Sequence, residues 1–283
     1  MDWQDLPESD NVEDRRGSSG RGIAIGGVGT VIVVIIALLL GKNPQQLLNQ
    51  VQQSTTTQSQ QRPSGQRADD SLAIFSRKVL GSTEQVWTNM FQSMGRQYTD
   101  PTLVLFDGQT SSACGGADAA TGPFYCPGDQ KLYLDLSFFH ELATRFHSPG
   151  NFASAYVIAH EVGHHVQNLL GISEKLDQAR RRVSEAAYNK LSVKLELQAD
   201  FLAGVWAYHA NEIKKILQQG DLESALGAAS QIGDDRLQKE SQGYVVPDAF
   251  THGTSAQRMY WFKKGFTTGD LKQGDTFSDP SLN

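Results

Sequence analysis

The chain has 283 residues, 39% hydrophobic and 20% charged, which is enough to bury the core of one large domain or two small ones. Its formal net charge of -6 argues against a nucleic-acid partner. The one dense basic stretch, with Lys175, Arg180, Arg181 and Arg182, reads as a solvated helix face.

Residues 23–40 are apolar and uncharged, close to the ~20 residues that span a bilayer. The sequence that follows, Gly41-Lys42-Asn43-Pro44, is no small-x-small cleavage site, so a cleaved export signal is disfavoured against an uncleaved transmembrane helix at 23–41. Arg15, Arg16 and Arg21 precede the segment and only Lys42 lies close behind it. That bias predicts a single-pass membrane protein, with residues 1–22 as a cytoplasmic segment and the remainder outside; in a bacterial cell this would be an inner-membrane protein whose domain is periplasmic or extracellular. Residues 42–69 are Gln, Ser and Thr with little else, too poor in apolar side chains to fold alone, and read as a flexible linker.

A domain at 70–283 follows. From Asp70 a helical pattern begins, with Leu72, Phe75, Val79, Val86, Trp87, Met90, Phe91 and Met94 at three- and four-residue steps. Residues 103–106 and 131–136 read as strands. Between them Cys114 and Cys126 flank a Gly-rich loop, and in an oxidising compartment they predict a disulfide. A zinc site is the rival reading, but the paired C-x-x-C spacing is missing. Residues 151–170 read as one helix stopped by Gly171, a charged connection leads to a long helix from about Ser184 to Leu217, and a shorter helix starts at Leu222. A last helix runs through Trp261 and Phe262. This order predicts an α+β fold, mainly α, with a small β-sheet.

The chemistry concentrates in His160-Glu161-Val162-Gly163-His164. On a helix, residues four apart share a face, so two neutral imidazoles can bind one Zn²⁺ while Glu161 reaches the water at its open position as general base. His165 points elsewhere and reads as a packing residue. A catalytic zinc needs a third protein ligand, and Glu196 is the strongest candidate. Asp200 lies four residues further on, placed to orient a ligand histidine; both carboxylates interrupt an otherwise apolar stretch. His252 and Arg258 precede the last helix, where either donor near the metal would stabilise an oxyanion. For His252 an ordinary loop histidine is an equal reading. His140, His147 and His209 have no partner at ligand spacing and read as structural.

Four ordered stretches, GPFYCPGDQKLYLDLSFF, VIAHEVGHHVQNLLG, LELQADFLAGVWA and DAFTHGTSAQRMYWFKKGF, resemble the bacterial putative neutral zinc metallopeptidase family over nearly the whole chain. More widely the pattern is similar to gluzincins. The resemblance implies a zincin-like domain after one membrane helix, with His160, His164 and Glu196 on zinc, Glu161 as catalytic base and Asp200 behind the ligands. It also adds weight to His252 as a catalytic donor and to Arg258 as its neighbour in the site.

The expected function is therefore a membrane-anchored zinc metallopeptidase acting on a peptide or protein substrate. An inactive zinc-binding scaffold or adaptor and a zinc amidase of cell-wall peptides are the alternatives. A purely structural zinc closes four ligands and has no use for an unligated Glu161, which weighs against the scaffold. Residues 132–136, shortly before the motif helix, offer an edge strand for an extended substrate, with an interior strand as the equal alternative.

Overall fold

A computed structural model of the chain describes residues 1–17, 70–118 and 121–282. The expected membrane helix at 23–41 and the whole of the linker at 42–69 lie outside the described residues. Among the described residues no helix is long and apolar enough to cross a membrane.

The fold is mainly helical with a small sheet. Strand β1 (Val12–Asp14) precedes helix α1 (Asp70–Ser93), followed by β2 (Thr102–Phe106), the hairpin β3 (Gln109–Ser112) and β4 (Gly115–Asp118), β5 (Phe124–Cys126) and β6 (Lys131–Asp135). Helices α2 (Ser137–Thr144), α3 (Asn151–Leu169), α4 (Ile172–Arg180), α5 (Glu185–Lys214), α6 (Asp221–Gln231), α7 (Asp234–Gln242) and α8 (Ser255–Thr268) complete it.

The main sheet has the order β1-β2-β6-β5. β1 and β6 run parallel to β2, while β5 is antiparallel to β6. Side chains of a strand alternate between faces, and here both faces are covered. Leu103, Leu105, Leu132 and Leu134 enter the main helical core, whereas Val104, Phe106 and Tyr133 join Cys126 and Phe124 in a smaller cluster. The two faces together account for the near-continuous apolar runs TLVLF and KLYLD.

Two sequence expectations change. The strand at 131–136 lies between β2 and β5 and is interior; the edge beside the motif helix is β5. Alternating apolarity reports burial and carries no information about which strand lies beside which. The segment at 1–22 was expected to stand apart from the domain, yet Met1–Arg15 forms one compact unit with Asp69–Asn283. Backbone pairing needs no apolar side chains, so this polar stretch gave no composition signal. The expected pairing of Cys114 with Cys126 is present.

α3 is buried almost all round, with Phe152, Tyr156, Val162 and Val166 fully covered, as befits a central helix. It packs against α5 and α6, and α5 packs along α8. Ser184 caps the start of α5 by accepting the Ala187 N–H. A reciprocal capping box between Thr254 and Gln257 opens α8. These caps fix where the helices begin, and so the level at which Glu196 and Arg258 meet α3.

Candidate metal centre

α3 and α5 cross at the motif. A Cβ on Gly163 would lie 3.0 Å from the Ala199 carbonyl oxygen and 3.1 Å from its Cα. The missing side chain lets the two backbones touch one residue before His164 and between Glu196 and Asp200, bringing a carboxylate from α5 to each histidine of α3.

His160 Nε2 lies 3.2 Å from Glu196 Oε2, and His164 Nε2 lies 3.4 Å from Glu196 Oε1. Three ligands about 2.0–2.2 Å from a tetrahedral zinc stand about 3.3–3.5 Å apart; these two separations match that, and one atom from each of the three residues lies within 4.8 Å of the others. Among the described residues this is the group of His, Cys, Asp and Glu side chains able to hold a metal.

The tautomers also fit. His160 Nδ1 donates to Asp200 Oδ1 at 2.9 Å, and His164 Nδ1 donates to Gln167 Oε1 at 2.9 Å. Gln167 is oriented in turn, because its Nε2 donates to the Leu195 carbonyl at 2.7 Å and to Gln198 Oε1 at 3.1 Å. With both Nδ1 atoms so engaged, each Nε2 is the ring nitrogen that faces the Glu196 carboxylate, where either a proton or a metal cation stands between them. Burial opposes a charged imidazole, yet Asp200 and Glu196 outweigh it and bring His160 up to about 10. At Glu196 burial is likewise overcome, by His164 and His160, and its carboxyl is held well below the usual range. The field that favours an imidazolium favours a divalent cation in its place.

Asp200 is fully buried and saturated. Besides His160 it accepts from Tyr156 Oη and from Arg258, whose Nε lies 2.9 Å from Oδ2 and whose Nη2 lies 3.0 Å from Oδ1. Arg258 outweighs burial here and, with His160, brings the Asp200 carboxyl down to about 2. Arg258 is 2% exposed and also donates to the Ile232 carbonyl. It stands behind Asp200, which rules out the reading of Arg258 as an oxyanion donor and leaves it as the anchor of the ligand-orienting carboxylate.

Glu161 points off the ligand set. Burial raises its pKa against the pull of the two histidines, and the Tyr125 backbone of β5 adds a small lowering effect. His165 is fully buried, with Nε2 donating to the Thr99 carbonyl at 2.6 Å and Nδ1 accepting from Tyr125 Oη at 3.0 Å. Burial lowers it to about 4, so it is a neutral packing residue, as its position on the helix implied.

His252 is brought toward the group from the loop before α8. Asp234, at the start of α7, accepts the backbone N–H groups of Thr251, His252 and Gly253 with Oδ2, and its Oδ1 lies 3.1 Å from His252 Nδ1. That bond raises the His252 pKa against burial, and the Glu196 carboxylate adds to the rise. Half of the His252 side chain stays exposed. His209 donates to the Gly269 carbonyl, a structural role. Sequence reasoning missed Asp234, Gln167 and Tyr156; the only signal was Asp234 standing directly after a glycine at a helix start.

Two histidines and a glutamate on two crossed helices form a group that could hold a metal ion, with Glu161 beside it. The chain belongs to the putative neutral zinc metallopeptidase family, whose model matches residues 1–277. It is similar to the uncharacterized protein YpfJ of Escherichia coli K12, 47% identical over 98% of this chain and 99% of that protein. It is also similar to the uncharacterized protein Rv2575 of Mycobacterium tuberculosis H37Rv, 41% identical over 87% of this chain and 86% of that one. No solved structure matches it.

Proposed function

We propose that the protein hydrolyses peptide bonds as a zinc metallopeptidase. The observation that carries this reading is a His, His, Glu group able to hold a metal, with the half-buried Glu161 next to it in the motif helix and outside the group. A structural zinc would close a fourth protein ligand.

Zinc held by His160, His164 and Glu196 would supply Lewis acidity toward a water and a peptide carbonyl. Glu161 takes the water proton on a carboxylate oxygen and delivers it to the departing amine; its raised pKa suits both halves of the transfer. Asp234 grips His252 through Nδ1, so the imidazole is positioned to donate from Nε2 to the oxygen that gains charge. β5 is an edge strand of the main sheet and packs on the motif helix, with Tyr125 Oη donating to His165 Nδ1, so an extended substrate pairing along it runs beside the helix that carries the reactive groups.

In this reading residues 23–40 bring the enzyme to the bacterial inner membrane, and the Cys114–Cys126 bond favours an oxidising side for the domain. The full chain with Glu161→Gln should keep one zinc and lose cleavage of unfolded protein by at least ~10²-fold. Equal cleavage by the variant, or a zinc-loaded wild type that cleaves neither unfolded protein nor cell-wall peptides, would overturn the proposal.

A further inference from the structure

The first fifteen residues are built into the domain. β1 pairs with β2 in parallel register, Val12 opposite Leu103 and Asp14 opposite Leu105. The Leu103 N–H donates to the Asn11 carbonyl at 2.9 Å and the Arg15 N–H to the Leu105 carbonyl at 2.8 Å. Upstream, Ser9 N–H donates to the Arg77 carbonyl of α1 at 3.1 Å. Ser9 Oγ and Asn11 Nδ2 both donate to Glu84 Oε1, at 2.6 and 2.9 Å. Lys131 of β6 pairs with Glu13.

The contact is also apolar. Met1 and Leu6 belong to the main core at 8% and 5% exposure, and Trp3 packs edge-on against Phe75 with ring centroids 5.4 Å apart. α1 is shaped for this segment. A Cβ on Gly81 would stand 2.4 Å from the Pro7 carbonyl oxygen and 3.0 Å from Ser9 N, so the helix carries glycine where the N-terminal chain passes over it. Glycine inside a helix costs about 1 kcal/mol against alanine, and here the close passage accounts for it.

A chain that crosses a membrane once has its flanks on opposite sides. Residues 1–15 and 70–283 flank the apolar, uncharged run at 23–40, which is close to the ~20 residues needed to cross, and they hydrogen-bond to one another. We infer that residues 1–15 are the edge strand and outer wrap of the metallopeptidase domain, so the N-terminus and the domain share one side of the membrane. The inference stands independently of catalysis, since none of these residues touches the metal centre.

The test uses the full chain in intact bacterial cells with a membrane-impermeant maleimide, the unsubstituted protein serving as blank. Asp5→Cys and, separately, Thr267→Cys place a thiol at exposed positions on the two flanks. Both reacting before lysis, or both reacting only after lysis, supports a shared side and names it; one reacting without the other overturns the inference. Amide exchange on the purified full-length protein supplies the second arm. Slow exchange at Leu103 and Arg15 supports the pairing, and exchange at the rate of a free peptide overturns it.

Discussion

Asp200 holds His160 from behind at 2.9 Å, and the same carboxylate neutralises the buried guanidinium of Arg258. One side chain thus couples metal binding to the packing of α8 on α5. Asp200→Asn should lower zinc affinity about 10–100-fold. Unfolding in excess zinc should show a loss of about 3–5 kcal/mol, because Arg258 is left buried without its partner. Loss of affinity with unchanged stability would mean the pair with Arg258 is not formed.

Gln167 plays the corresponding part for His164. Gln167→Leu removes the acceptor of the imidazole N–H and should weaken zinc binding about 10–100-fold in a competition titration. Gln167→Glu keeps an acceptor for His164 but sets its second oxygen against the Leu195 carbonyl and Gln198 Oε1, so it should recover only part of the affinity. Equal losses in both variants would show that packing, and not the hydrogen bond, is what Gln167 supplies.

Asp234 raises the pKa of His252, and the sign of its removal follows. In Asp234→Asn the imidazolium should be lost at lower pH, shifting the alkaline limb of kcat/KM downward. Zinc content should not change, since neither residue is a ligand. His252→Gln should lower kcat more than it raises KM, the pattern of a group that acts on charge developing during the reaction.

His165 gives a stability prediction. Its pKa falls from 6.5 to about 4 on folding because of burial, so between those values the unfolded chain binds the extra proton. The stability this neutral imidazole carries is complete above about pH 6.5 and is lost as pH falls toward 4, roughly 3 kcal/mol in all. Zinc-free His165→Gln should therefore show a shallower acid limb than the zinc-free wild type in denaturant titrations. Parallel limbs would mean that His165 charges freely in the folded protein.

The motif helix and the pair Glu196 and Asp200 were legible in the sequence because their spacing is local: residues four apart on a helix share a face whatever surrounds it. Asp234 and Gln167 were not, since their roles depend on which loop or ligand comes to lie beside them. β1 and β5 escaped for a different reason. Each is three residues long, one in a polar stretch and one in a Gly-rich loop, and a strand that short is defined by its neighbour. α4 was read as a charged connection because its only buried side chain is Leu176.

The bare hydrogen at Gly163 has a last consequence. The spacing of the ligands is set where two backbones rest on each other, so the socket's width is a property of the polypeptide and not of what fills it. The metal then enters a finished seat. Chelators should empty it and added zinc refill it with little change in far-ultraviolet circular dichroism, whereas Gly163→Val, by prising the helices apart, should damage the seat and the fold together.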